Sequence, residues 1–147
     1  MSNNARHGIE AGIARLLAQP WFSLLARIAL TAAFWLSGIG KLADFPGAVG
    51  EVRGLTGLES AALVAAAVIF VQIVGSLLVI WGGRWAWLGA GALGVFTLAA
   101  SLMAHAWWVK SGIERVRDFN TFWEHMGLIG GLMLAAILAN RGMNTDA

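Results

Sequence analysis

Between Glu59 and Arg84 the chain runs 24 residues without a formal charge, and between Arg84 and Lys110 another 25. About 20 apolar residues in helical form cover the roughly 30 Å hydrocarbon core of a bilayer. Two such runs, parted only by Arg84 in Trp81-Gly82-Gly83-Arg84-Trp85, predict a transmembrane hairpin. The chemistry of such a chain has to be sought among the few polar residues within or beside its spans.

Composition narrows the choice. Apolar residues make up 59% of the 147 and charged residues 12%, against about 25% charged in soluble domains. That leaves room for one domain of about four spanning helices and for no separate soluble catalytic domain. The net charge of +2 shows no nucleic-acid footprint. The chain has no cysteine, which excludes a disulfide, a thiolate metal site, a redox pair or a persulfide carrier. A redox role therefore requires a bound cofactor, a quinone or a partner subunit.

Hydropathy places four spans at about 21–40, 61–82, 86–107 and 122–140. The fold class is all-α, a four-helix transmembrane bundle over 20–140 with both termini on one side. Residues 1–19, with Arg6, His7, Glu10 and Arg15, read as a polar N-terminal tail and not as a cleavable signal peptide. Residues 141–147 form a C-terminal tail. Trp21, Phe22, Trp81, Trp85 and Trp87 cluster at one interface, and Trp107, Trp108, Phe119, Phe122 and Trp123 at the other, where indole rings settle. Basic residues are balanced between the two sides, so charge leaves sidedness open.

The loops on the non-terminal side, about 41–60 and 108–121, are the longer ones. Phe45, Val49 and Val52 at helical spacing predict a short amphipathic helix at the interface. Thr56 with Glu59, and Thr121 with Glu124, have the spacing of capping boxes ahead of apolar runs.

Each span carries one stripe of small and polar groups, as a membrane bundle buries. Arg27, Thr31, Phe34, Gly38 and Lys41 align on the first; Gln72, Gly75, Ser76, Val79 and Gly83 on the second. Gly94, Thr97, Ser101 and His105 align on the third. On the fourth, Glu124, Gly127 and Gly131 align, with His125 pointing the other way. The glycines are read as packing residues. With all stripes inward, Lys41, Asp44, His105 and Glu124 meet at one mouth of the bundle.

Charge inside a bilayer is costly, so ionisable residues there carry a partner or a function. Each also has a bland reading: Arg27 as a snorkelling anchor, Lys41 with Asp44 as an exposed pair, Glu124 as a helix cap, His105 and His125 as interfacial residues. Gln72 has an interhelical hydrogen bond as its simplest role. Histidine as a residue type titrates near working pH and suits proton transfer. His105 and His125 disagree in helical phase, which argues against haem ligation, and no metal site is read.

The ordered segments of the chain resemble the DoxX family of small membrane proteins. They run Arg27-Ile28-Ala29-Leu30, Phe34-Trp35-Leu36-Ser37-Gly38-Ile39-Gly40-Lys41-Leu42, Asp44-Phe45, Gln72-Ile73-Val74-Gly75 and Gly82-Gly83-Arg84. Phe96-Thr97-Leu98, His105, Trp107-Trp108, Phe122-Trp123 and Leu128-Ile129-Gly130-Gly131-Leu132 complete the order. Two positions depart from the family pattern: Gln72 stands where an acid is expected, removing a buried partner for Arg27, and His125 where Asn is expected.

The resemblance implies a four-helix, multi-pass protein of the bacterial inner membrane, linked to quinone-dependent oxidoreduction. The expectation is an accessory subunit that binds a quinone or similar hydrophobic ligand, with no covalent cofactor, beside an oxidoreductase partner. Arg27 and Gln72 are then hydrogen-bond donors within the bundle and Trp35 an aromatic wall. Lys41, His105 and Glu124 are the proton-handling groups near the non-terminal face. The alternative is a non-catalytic scaffold, assembly factor or small-solute transporter; homo-oligomerisation is left open.

Overall fold

A computed structural model of the chain describes the backbone of residues 3–145 and the side chains of 7–141. Among the described residues, six helices follow in order: α1 (Asn3–Leu17), α2 (Pro20–Ala43), α3 (Phe45–Thr56), α4 (Ala61–Trp81), α5 (Ala86–Ala104) and α6 (Gly112–Thr145). Short 3₁₀ turns, Gly83–Trp85 and Trp107–Val109, precede and follow α5. Four stretches of the described residues are long and apolar enough to cross a membrane: Pro20–Ala43, Ala61–Trp81, Gly83–Val109 and Gly112–Arg141.

Local chemistry sets the boundaries. Pro20 opens α2, where its missing N–H costs nothing. Asp44 closes α2 and opens α3, its Oδ1 accepting the Gly47 N–H at 3.0 Å. Gly57, at φ +69°, takes the left-handed turn that stops α3. The Thr56 hydroxyl donates to Val52 O at 2.8 Å and accepts from Leu58 N, so Thr56 ends α3 and does not cap α4. Thr121 lies inside the unbroken α6 and caps nothing either.

α4 is central, packed between α2 and α5, and α6 lies on α5 and meets α2 lightly. The core joins Phe34, Val79, Ala90, Leu93 and Leu132 from all four spans. Glycine lets the backbones close up without a Cβ between them. A Cβ on Gly89 would stand 2.5 Å from Gly75 O, and one on Gly131 would stand 2.8 Å from Leu30 Cδ1. Gly127, expected to pack, has open space around it. α3 presses Ala48 and Val52 onto Ala61 and Ala65 of α4, so the loop helix exists and is seated on the bundle.

The outer surface is apolar. Leu63, Phe70, Val95, Leu134 and Leu138 are each more than 60% exposed, which suits acyl chains and not water. Residues 3–17 form a helix where the sequence suggested only a polar tail.

Candidate functional site

Polar chemistry gathers at two separate ends of the bundle. At the terminal-side end, a cavity of about 660 Å³ is walled by Leu30, Val79, Leu134 and Leu138, with Ser23, Arg27 and Arg84 on its lining. Arg27 folds back so that its Nε donates to Ser23 O at 3.2 Å. Its guanidinium lies against the Cα of Gly82, where any Cβ would collide with Arg27 Nη1. Gly82, at φ +80°, both turns the chain and makes that room. Arg84 holds its guanidinium 4.6 Å from the Trp85 ring centroid. Among the described residues, no carboxylate pairs with Arg27.

Gln72 sits further in. A Cβ on Gly38 would be 3.2 Å from Gln72 Cβ, which places the two side by side. Gly38 is eleven residues along α2 from Arg27, or about 16 Å of helix. Gln72 Nε2 donates to Ser37 Oγ at 3.3 Å and ties α4 to α2, while its Oε1, also buried, has no donor. Trp35 turns its Nε1 back to Ile28 O of its own helix at 3.5 Å and lies outside the Arg27 cavity wall.

At the other end stands a histidine pair. Ser101 Oγ donates to Thr97 O at 2.6 Å, which uses its proton. The 2.8 Å contact between Ser101 Oγ and His125 Nδ1 is then a bond in which the imidazole N–H donates. His105, the C-cap of α5, places Nδ1 3.4 Å from Asp118 Oδ1, so again Nδ1–H faces the acceptor. In its neutral form, each ring then carries its lone pair on Nε2. The ring centroids are 5.2 Å apart and inclined at 69°. Asp118 is buried and also pairs with Lys110, with Arg117 Nε at 3.6 Å from its Oδ1.

The expected meeting of Lys41, Asp44, His105 and Glu124 at one mouth does not form. Arg27 and His105 lie at opposite ends of the bundle, separated by about the 28 Å length of α5. Lys41 pairs with Glu51 of α3 at 2.6 Å and not with Asp44, which is occupied as a cap. Glu124 is exposed on α6, and His125 takes the inward place. Helical phase explains this. Asp118, His125 and Leu132 recur every seven residues and form the face of α6 that meets α5, whereas Gly131 touches α2. Reading the glycines as the inward stripe aligned Glu124 with them. Asp118 was missed, although its seven-residue step from His125 was the available signal.

Among the described residues, no three His, Asp or Glu side chains converge as metal ligands would. Arg27 lines its cavity as a cationic N–H donor group, and His105, with His125 beside it, faces the buried Asp118 carboxylate.

The DoxX family model matches residues 22–106, from the start of α2 to just past His105. Inner membrane protein YphA of Escherichia coli (strain K12) is 25% identical over 129 residues, covering 88% of this chain and 91% of that protein. No solved structure matches. With four apolar spans in a bundle and more than half its length matched, the chain belongs to the DoxX family and is a multi-pass integral protein of the inner membrane.

Proposed function

We propose that the protein binds a hydrophobic ligand of the quinone class in the Arg27 cavity and serves as an accessory subunit of a quinone-linked oxidoreductase. The observation that carries this reading is a guanidinium lining a mostly apolar cavity of about 660 Å³ between the spans. That size lies within the roughly 300–1,000 Å³ of small-molecule sites, and mostly apolar walls with a few fixed polar groups are their usual lining. Arg27 offers N–H donors to the acceptor oxygens of such a head group, and Leu30, Val79, Leu134 and Leu138 offer contact to its apolar body.

The division of the polar residues sharpens the roles. Arg27 is the ligand-binding residue, while Gln72 ties α4 to α2 deeper in the bundle and Trp35 bonds within its own helix. His105, with Asp118 and His125, is the proton-handling group at the far end and does not touch the head group. Lys41 anchors α3 through Glu51.

Extraction of protein purified in mild detergent tests the reading. Stoichiometric quinone is expected in the parent chain and in His105→Ala, and is expected to be lost in Arg27→Ala. Folded parent protein that carries no quinone, yet copurifies with a partner subunit, would replace this reading with the scaffold alternative.

A further inference from the structure

α1 has two unlike sides. Ile9, Ile13, Leu16 and Leu17 fall within an arc of about 100° on a helix of 100° per residue. Their exposures are 53%, 53%, 42% and 60%, so the rest of the chain leaves this stripe uncovered. His7, Ala11, Ala14 and Arg15 lie on the opposite side. There Arg15 Nε reaches back to Ala11 O at 3.2 Å, and His7 Nδ1 stands 3.7 Å from Glu10 Oε2 on the flank.

The join to α2 fixes where that stripe sits. Only Ala18 and Gln19 separate the helices, a reach of at most about 7 Å. The join is itself hydrogen-bonded: Ala18 N to Ala14 O, Gln19 N to Leu16 O, and Gln19 Nε2 to Arg15 O. Gln19 is extended before Pro20, so the axis turns there and does not continue into α2. On the far side of the join, Trp21, Leu24 and Leu25 are exposed on the membrane-entering turns of α2. An α1 pointing straight out would carry all four large apolar side chains into water, with Ile9 about 12 Å beyond Leu17. A tangential helix instead continues the lipid-facing surface of α2 around the corner.

We infer that α1 is an interfacial helix, lying along the terminal-side membrane surface with Ile9, Ile13, Leu16 and Leu17 in the headgroup–acyl boundary. Its occupant is lipid. The polar side of His7, Ala11, Ala14 and Arg15 faces water, which is the arrangement of a helix held in the interface plane.

Nitroxide scanning of the full chain in lipid nanodiscs tests this, and the absence of native cysteine makes each label unique. Single cysteines at Ile9, Ile13 and Leu16 are compared with His7, Ala11 and Ala14. Labels on the first set should meet dissolved oxygen several-fold more readily than a water-soluble nickel chelate, and those on the second set the reverse. Nickel access at all six positions would overturn the inference, since α1 would then stand in water. Shielding of Ile9, Ile13 and Leu16 from both reagents would overturn it too, by showing protein on that face.

Discussion

Ser101 and His125 are joined across α5 and α6 by a 2.8 Å hydrogen bond in which the imidazole N–H is the donor. The bond ties the two helices near the end where the chain also places His105, Asp118 and Lys110. It fixes which ring nitrogen is free.

Ser101→Ala removes the acceptor and should release that tautomer preference. Nitrogen-15 spectra of labelled histidine are expected to show His125 protonated at Nδ1 in the parent and mixed in the variant. The stability loss in detergent should be about 0.6 kcal/mol and no more than about 1.7 kcal/mol, the average and the maximum for interhelical hydrogen bonds in membranes. Unchanged ring-nitrogen shifts would contradict the donor assignment.

Asp118→Asn leaves Lys110 without its carboxylate and weakens the bond to His105. Thermal unfolding in detergent should show a larger loss for this variant than for Glu124→Gln, whose side chain is exposed. Equal losses would mean that the buried carboxylate organises nothing.

Glycines provide an internal control. Gly89→Ala sets a Cβ 2.5 Å from Gly75 O and 2.7 Å from Leu78 Cβ, so α4 and α5 must part. The expected cost is about 1–3 kcal/mol, as for overpacked cores. Gly127→Ala meets nothing within 4 Å and should be neutral or gain up to about 1 kcal/mol from helix propensity. Chemical denaturation in mixed micelles distinguishes the two.

Glu51→Gln breaks the ion pair with Lys41, whose side chains are 20% and 52% exposed. Surface pairs contribute little, and α3 is also held by Ala48 and Val52 against α4. The expected loss is below about 1 kcal/mol and should vanish in high salt.

The spans were legible because an unbroken run of apolar residues has few alternatives to crossing a bilayer. The ends of α2 and α4 fall within three residues of expectation. α6 was read too short because Glu114, Arg115, Arg117 and Asp118 lower its hydropathy, yet helix continues through them beyond the hydrocarbon. α1 escaped because Gly8 and Gly12 and four charged or titratable residues mask a spaced set of four apolar ones. Hydropathy sums over a window; amphipathic phase does not survive that sum.

The polar residues of the candidate site were legible by type, and their partners were not. Arg27, Gln72 and His105 were all singled out, and each does occupy a polar setting. Which of them meet depends on rotation and register, which a glycine stripe fixed for α2 and α4 but misassigned for α6. Asp118 and His125 also lie beyond the matched family segment, which ends at residue 106.

The length of α6 has its own consequence. Its 34 residues span about 51 Å, well past the roughly 30 Å of hydrocarbon. The rings of Trp107, Phe119 and Trp123 stack edge to face around its first turns and mark the waterline. Asp118 lies within that collar beside His105, so the long shaft of the helix carries a buried carboxylate and its imidazole partner to the edge of the bilayer.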